Sequence, residues 1–243
     1  MGFIAAVYGV VCYAVFLASF LYSIGFVGNL VVPKTIDSHP GGSVPEALAV
    51  NLLLLGLFAV QHSVMARPAF KAVWTRVIPR TVERSTYVLI SSLLLALLFW
   101  KWQAIPAVVW SASSPAIEAF VMALFALGWL IVLLSTFMID HFELFGLRQV
   151  YLRLRGLDYT PPGFTQRALY GFVRHPIMLG FLVAFWATPH MTIGHLLFSI
   201  ATTGYILVGV MLEERDLVRY IGPEYEAYRR RVPMLIPTGS RRG

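Results

Sequence analysis

Charge and cysteine are scarce in this sequence. Only 13% of its 243 residues are charged, whereas 58% are hydrophobic, and the mean hydropathy is +0.73. Water-soluble globular domains usually carry about 25% charged residues, so the composition excludes a single domain of that kind. The one cysteine, Cys12, excludes an intramolecular disulfide bond and a metal site built from several cysteines. We therefore predict an integral membrane protein without covalent cross-links.

Sequence motifs of several common functions are also absent. The chain has no G-x-S-x-G nucleophile elbow and no G-x-G-x-x-G dinucleotide fingerprint, so we expect no Rossmann domain. No two histidines have the i,i+3 or i,i+4 spacing of zinc ligands on one helix, so we expect no metal. The net charge of +7 is not accompanied by a nucleic-acid-binding motif, so we expect no nucleic-acid partner.

Long hydrophobic stretches make up most of the chain. They cover residues 3–32, 46–65, 87–102, 116–139, 177–187 and 191–212. Most have about the length of a membrane-spanning helix, roughly 20 residues. The connections are short, and no repeat, low-complexity tract or linker marks a second domain. We predict an all-α fold, in which residues 1–243 form one polytopic transmembrane helix bundle of five to six membrane segments.

The lysines and arginines concentrate in alternate connections between these stretches. Of the 19, five lie in residues 66–86, five in residues 140–174 and seven after residue 213, whereas Lys34 and Lys101 lie in the other connections. The positive-inside rule makes the basic side cytoplasmic. We therefore expect both termini in the cytoplasm and the excess positive charge beside anionic lipid headgroups.

The segment 177–187 is shorter than a spanning helix needs to be. Pro189 and Gly194 would turn the chain tightly at its far side, which predicts a C-terminal helical hairpin over residues 177–212. Both cytoplasmic ends of this hairpin carry ionisable residues, namely Arg174, His175, Glu213 and Glu214. Such residues at the end of a membrane segment indicate a functional site.

Three histidines, His62, His141 and His175, fall at predicted cytoplasmic helix ends. Asp140 and Glu143 lie close to them in sequence. A helix bundle can gather helix ends that are distant in sequence around one cavity. This pattern predicts a polar site on the cytoplasmic face; the alternative for each histidine is an interfacial residue that is merely hydrogen-bonded.

A specific combination of motifs carries a family resemblance. Residues 174–180 read RHPIMLG, the pair Glu213 and Glu214 follows the next hydrophobic stretch, and residues 225–237 read YEAYRRRVPMLIP. This combination resembles the C-terminal signature of the isoprenylcysteine carboxyl methyltransferase and phospholipid methyltransferase superfamily. The resemblance implies that the C-terminal hairpin encloses S-adenosylmethionine at the cytoplasmic face. Met178 stands where the signature often has tyrosine, which argues against assuming the superfamily's usual bulky substrates.

Upstream motifs make the resemblance narrower. Residues 61–67, QHSVMAR, residues 83–87, ERSTY, and residues 141–149, HFELFGLRQ, resemble the methanethiol S-methyltransferase group, which is related to NnrU-type membrane proteins. The resemblance implies an enzyme of the bacterial inner membrane that moves a methyl group from S-adenosylmethionine to methanethiol, giving dimethyl sulfide and S-adenosylhomocysteine. Hydrogen sulfide is a further expected acceptor. The alternatives are a carboxyl or phospholipid methyltransferase and a non-enzymatic NnrU-like protein.

The resemblance also implies which residues hold the cofactor. A glutamate of the pair would accept from ribose hydroxyls or bind the ammonium group, while a buried arginine or histidine would hold the carboxylate. Salt-bridged helix ends, helix packing and interfacial anchoring are the alternative roles. The predicted set is Arg174, His175, Pro176, Leu179, Gly180, Glu213, Glu214, Tyr225, Tyr228 and Arg231.

The methyl transfer itself sets a further requirement. An in-line displacement by sulfur needs an aligned thiolate, and an ordinary cysteine thiol has a pKa of about 8.5. The site must therefore remove a proton or stabilise the anion. The candidate bases are His141, His62 and Asp140, and the candidate stabilisers are Arg148 and Arg174.

Overall fold

Helices joined by short connections dominate the fold. The structure is a computed structural model, and it describes residues 2–38, 42–161 and 163–237. The helices are α1 (Gly2–Gly28), α2 (Val44–Ala66), α3 (Pro68–Trp74), α4 (Arg80–Lys101), α5 (Pro115–Ile139), α6 (His141–Leu144), α7 (Leu147–Leu154), α8 (Pro176–Trp186), α9 (Ile193–Ile221) and α10 (Pro223–Arg231). A 3-10 turn covers Ala168–Gly171, and two short strands are β1 (Val108–Ser111) and β2 (His190–Thr192).

Five helices, α1, α2, α4, α5 and α9, are long and apolar enough to cross a membrane. The apolar α8 has 11 residues and rises about 16 Å, which is short of the roughly 30 Å hydrocarbon core. The predicted all-α polytopic bundle of five to six membrane segments is confirmed, and the chain is an integral membrane protein. The two strands were not part of that prediction.

Two compact units make up the chain. The first comprises Met1–Ala107 and Asp140–Pro162, and the second comprises Val108–Ile139 and Gly163–Gly243. The first unit therefore contains α1–α4, α6 and α7, and the second contains α5, α8–α10 and both strands. That all 243 residues form a single domain stays a prediction.

In the first unit, α1 packs against α4 and α7, and α2 packs against α4. The absence of a side chain at Gly9 of α1 leaves room for Val150 of α7. A Cβ at Gly9 would lie 2.6 Å from a methyl group of Val150, which is too close. Trp102, just beyond α4, is buried, and its indole Nε1 donates to the carbonyl of Ile36 (3.0 Å). The buried Asn51 side chain exchanges two hydrogen bonds with the backbone of the residue after Trp102. These bonds fix α2 and the segment after α1 to the end of α4.

In the second unit, α5 packs closely along α8. Gly128 of α5 faces Gly180 and Ala184 of α8, and a Cβ on Gly180 would lie 2.7 Å from the carbonyl oxygen of Gly128. Small residues at a helix crossing let the two backbones approach in a membrane, where packing rather than the hydrophobic effect drives association. The position of α8 therefore depends on this glycine contact.

The predicted C-terminal hairpin consists of α8, β2 and α9. The carbonyl oxygen of Phe185 near the end of α8 accepts from Ser199 Oγ (2.7 Å) and lies 2.9 Å from His195 Nε2, both on α9. The connection contains β2, which pairs antiparallel with β1. Gly194 lies in the first turn of α9, so the tight turn predicted between Pro189 and Gly194 is instead a short strand.

Replacing Gly128 with alanine is expected to destabilise the protein by about 1–3 kcal/mol. The added methyl group would lie 2.6 Å from the Ala184 nitrogen and 2.7 Å from the Gly180 oxygen, and these backbone atoms move only if α5 and α8 separate. Thermal unfolding in detergent, followed by circular dichroism, measures the loss. Gly204→Ala is the matched control, because a Cβ there meets nothing within 4 Å. Equal midpoints for the two variants would contradict the close contact.

Candidate functional site

The start of α8 is held by the segment that follows α10. The backbone N–H groups of Arg174 and His175 donate to the carbonyls of Pro233 and Met234 (2.9 and 3.2 Å). Pro176 then occupies the first helical position of α8, where its missing N–H leaves no helical bond unmade. These contacts place two ionisable side chains at the end of an otherwise apolar helix.

Glu214 is a buried carboxylate that lies against two arginines and a histidine. Its Oε1 accepts from Arg174 Nε (2.6 Å) and lies 3.1 Å from His175 Nε2, while its Oε2 lies 3.3 Å from Arg229 Nε. The side chains of Arg174, His175 and Glu214 are each less than 10% exposed. The Arg174 guanidinium also donates to the carbonyls of Arg229 and Val232. We call Arg174, His175, Glu214 and Arg229 the Glu214 cluster.

The neighbouring Glu213 differs from Glu214 in its surroundings. Its side chain is 48% exposed, and its one ion-pair contact with the described residues is long, at 3.7 Å from Oε2 to Nδ1 of His175. The His175 ring therefore lies between two carboxylates, one buried and one open to solvent. Of the two glutamates, Glu213 is therefore the one whose carboxylate can exchange water for a ligand with little loss of stability.

Two tyrosines of α10 complete the interior of this region. Tyr225 and Tyr228 are 1% exposed and pack edge-on against Phe164. Tyr228 Oη donates to the carbonyl of Tyr170 (2.6 Å), and burial raises the pKa of Tyr228 to about 12. Burial, with the nearby Glu214 carboxylate, also raises the pKa of Tyr225. Its buried hydroxyl makes no hydrogen bond to any residue that the structure describes, which is unusual for a buried polar atom.

The remaining predicted cofactor residues have identifiable structural contacts. Gly180 faces α5, the Leu179 amide donates to the carbonyl of His175 (3.0 Å), and Arg231 is exposed and donates to Gln166 Oε1 (2.8 Å). The contact with α5 accounts for a glycine at position 180. Whether these three residues touch a cofactor stays a prediction.

In the first unit, His141 begins α6 and is 6% exposed. Its Nε2 lies 2.9 Å from the Tyr13 hydroxyl, and its ring packs against Phe145. Asp140 precedes it as the N-cap and accepts from the Glu143 amide (3.0 Å). Burial lowers the pKa of His141, and the Asp140 carboxylate opposes that shift. The imidazole is therefore neutral at pH 7 and able to accept a proton.

Arg148 belongs to a second polar group, which is centred on Glu143. The Glu143 carboxylate accepts from Arg148, Gln149 and Tyr159 (3.1, 2.6 and 2.6 Å). Arg148 also donates to Thr160 and lies 3.8 Å from Asp140. Burial and the bond to Glu143 raise the pKa of Tyr159 to about 12. This network fixes the position of Arg148 beside α6.

His62 lies inside α2, one turn from its end. Its Nε2 is 2.8 Å from the Tyr87 hydroxyl and its Nδ1 is 3.2 Å from Ser91 Oγ. Tyr87 belongs to a buried apolar cluster with Met65 and Val88, against which Phe145 packs. Because Phe145 also contacts the His141 ring, one aromatic cluster joins His62 and His141 within the first unit. His175 lies in the second unit, so a single site for the three histidines stays a prediction.

Sequence reasoning missed two partners of the predicted residues. Tyr13 contacts His141 from the apolar helix α1, and the only feature of the sequence that indicates this contact is a hydroxyl group within a hydrophobic stretch. Arg229 contacts Glu214, and its signal is the four-residue spacing from Tyr225, which puts both on one face of α10. Among residues 2–38, 42–161 and 163–237, no three His, Cys, Asp or Glu residues are grouped as metal ligands.

Comparison with known proteins identifies the family. The profile described as NnrU protein matches residues 50–234, which is most of the chain. The chain belongs to the NnrU family. Similar members of known name include methanethiol S-methyltransferase of Mycobacterium tuberculosis (strain ATCC 25618 / H37Rv), 58% identical over 97% of this chain and 96% of the relative. The predicted resemblance to NnrU-type proteins and to the methanethiol S-methyltransferase group is confirmed.

Other relatives extend this picture within the NnrU family. Methanethiol S-methyltransferase 2 of Bradyrhizobium diazoefficiens is 57% identical over 95% of this chain and 88% of the relative. Nurim of Rattus norvegicus is 34% identical over 74% of this chain and 71% of the relative. No solved structure gives a significant match.

Replacing Glu214 with glutamine is expected to destabilise this NnrU-family protein by about 3 kcal/mol, because it leaves buried Arg174 and His175 without their shared counter-charge. Unfolding by heat in detergent measures the loss. Glu213→Gln is the matched control, and we expect a change within about 0.5 kcal/mol, since its side chain is half-exposed. Similar losses of stability in both variants would show that the buried Glu214 cluster contributes no more to stability than the half-exposed Glu213.

Proposed function

We propose that this chain transfers a methyl group from S-adenosylmethionine to methanethiol, forming dimethyl sulfide and S-adenosylhomocysteine. The observation that carries this proposal is the near-full-length similarity to enzymes named methanethiol S-methyltransferase. Those names make the chain a methyltransferase, and a methyltransferase needs a methyl donor. The choice of S-adenosylmethionine and of hydrogen sulfide as a second acceptor is part of the proposal.

The second unit has suitable groups for such a donor. S-adenosylmethionine carries a carboxylate, an ammonium group and ribose hydroxyls, so a binding site for it needs cationic, anionic and neutral hydrogen-bonding groups. Arg174 supplies positive charge, His175 supplies a ring nitrogen for hydrogen bonding, half-exposed Glu213 supplies an acceptor, and the buried Tyr225 hydroxyl supplies an unused polar atom. We propose that these residues hold S-adenosylmethionine, with Glu214 fixing the orientation of Arg174 and His175.

The chemistry divides between the donor and the protein. When bound, S-adenosylmethionine supplies an electrophilic methyl group on a positively charged sulfur. The protein must deliver the acceptor as a thiolate, and thiols with a pKa near 8.5 are mostly protonated at pH 7. We assign proton removal to His141, whose neutral ring is held by Tyr13, and we assign electrostatic stabilisation to Arg148. The thiol proton would pass to His141, the sulfur lone pair would form the new bond to the methyl carbon, and the electron pair of the broken carbon–sulfonium bond would stay on the donor sulfur, leaving S-adenosylhomocysteine.

We also propose the bacterial inner membrane as the location, with both termini in the cytoplasm. The support is that 17 of 19 lysines and arginines lie in alternate connections between the hydrophobic stretches and in the C-terminal tail; two of them, Arg241 and Arg242, lie outside the described residues. A small apolar thiol partitions into lipid, so the membrane concentrates the acceptor while the charged cofactor enters from water.

Membranes that contain the protein are expected to release dimethyl sulfide when supplied with S-adenosylmethionine and methanethiol. Headspace gas chromatography measures it. His175→Ala should release less than about a tenth as much, because losing one charge-assisted hydrogen bond weakens binding by roughly that factor. His190→Ala, which alters an exposed histidine of β2, is the control and should retain activity. Folded protein that binds the cofactor but yields no dimethyl sulfide would favour a larger acceptor or a non-enzymatic role.

The acid dependence of the reaction tests His141. We expect kcat/KM for methanethiol to fall with decreasing pH through the pKa of His141, which burial holds below its ordinary 6.5. His141→Ala should remove this fall at low pH and lower kcat about 100-fold. S-adenosylmethionine binding, measured by equilibrium dialysis, should stay unchanged. Asp140→Asn should keep the fall in kcat/KM but shift it to lower pH, because the Asp140 carboxylate raises the pKa of His141. An unchanged profile in His141→Ala would remove His141 from the chemistry.

A further inference from the structure

A basic surface depression lies between the end of α9 and the end of α10. Arg215, Val218, Arg219 and Arg229 line it. We call it the arginine depression. Three arginines therefore lie beside one another along this shallow surface, together with the aliphatic Val218. The proposed methyl transfer does not use Arg215 or Arg219.

Two of these arginines have no bonded partner among the described residues. Within the part of the chain that the structure describes, the side chains of Arg215 and Arg219 make no ion pair and no hydrogen bond. Both are exposed. Arginine binds phosphate oxygens through paired N–H donors, which makes an unpaired cluster of this kind suited to a phosphate group.

The third arginine connects the depression to the Glu214 cluster. Arg229 lies 3.3 Å from Glu214 Oε2, and its side chain is 44% exposed. It therefore contacts the buried carboxylate and borders the depression at once. A phosphate group bound between Arg215 and Arg219 would compete with Glu214 for Arg229.

The position of the depression favours a lipid as the source of the phosphate. Three of its four lining residues lie in the last two turns of α9, a helix long enough to span the membrane. On the same helix, Val208 and Met211 are more than half exposed, as lipid-facing residues are, and Tyr220 is 70% exposed. Tyrosine is enriched where the membrane meets water. The arginines thus occupy the level at which phospholipid headgroups lie.

We propose that the arginine depression binds the phosphate of an anionic phospholipid headgroup, and that this binding draws Arg229 away from Glu214. Glu214 then keeps Arg174 and His175 on Oε1, while Oε2 becomes available as a second acceptor for the cofactor. Anionic lipid therefore tightens cofactor binding. This second step rests on the proposed function; the lipid site itself does not.

Lipid retention tests the site without the cofactor. Purified protein in mixed phosphatidylcholine and phosphatidylglycerol nanodiscs is released from the discs for native mass spectrometry, and retained lipids are counted. We expect a preference for phosphatidylglycerol that falls at least about tenfold in Arg215→Gln/Arg219→Gln, since each arginine would lose charge-assisted hydrogen bonds to the bound phosphate worth at least roughly that factor.

The matched control separates a specific site from general charge. Arg153→Gln/Arg155→Gln also removes two positive charges, but from exposed positions at the end of α7. It should keep the phosphatidylglycerol preference within about a factor of two. Equal losses in both double variants, or no loss in either, would overturn the lipid site. Displacement of the retained lipid by millimolar inorganic phosphate would identify free phosphate as a competing ligand of the same arginines.

Cofactor affinity tests the coupling. Isothermal titration of S-adenosylmethionine should show severalfold tighter binding in phosphatidylglycerol discs than in phosphatidylcholine discs, and Arg215→Gln/Arg219→Gln should lose this difference while keeping the affinity seen in phosphatidylcholine. Wild-type affinity that is equal in both discs would overturn the coupling. Failure of the proposed function has a different signature, because S-adenosylmethionine would then bind in neither kind of disc.

Discussion

The buried Glu214 carboxylate is the constraint on which the second unit depends. A charge removed from water is strongly unfavourable unless opposite charges and hydrogen-bond donors surround it. Here the carboxylate and its partners come from three separate places in the sequence, because Arg174 and His175 precede α8, Glu214 is on α9 and Arg229 is on α10. The three segments must therefore meet at one point. The same requirement explains why the chain after α10 returns to bond with the backbone of Arg174 and His175.

The short α8 follows from this arrangement. One end is fixed by ionic contacts to Glu214, and the other is fixed by hydrogen bonds from α9 to the Phe185 carbonyl. Between these ends, Gly128 and Gly180 let the backbones of α5 and α8 approach closely. An 11-residue helix does not span the hydrocarbon core, so α8 is held by its neighbours and not by its own hydrophobic length.

Hydrophobic length made most of the fold predictable from sequence. The stretches 116–139 and 177–187 differ by no more than one residue at each end from α5 and α8. The β1–β2 pairing was not predictable, because Val108–Ser111 and His190–Thr192 are too short for alternation to be recognised and lie about 80 residues apart. The contact between Tyr13 and His141 was hidden for a similar reason. A hydroxyl in an apolar helix gains meaning only when its distant partner is known.

The glutamate pair shows why motif positions alone do not assign roles. Successive residues on an α-helix are rotated by about 100°, so adjacent glutamates necessarily meet different surroundings. Glu214 turns inward and is saturated by two arginines and a histidine, whereas Glu213 remains half in solvent with one long contact to His175. A saturated carboxylate holds other side chains in place, and an unsaturated one can exchange water for a ligand. The pair thus combines a fixed anchor with an adaptable acceptor on either side of one imidazole, and the availability of Glu214 as a ligand depends on how firmly Arg229 holds it.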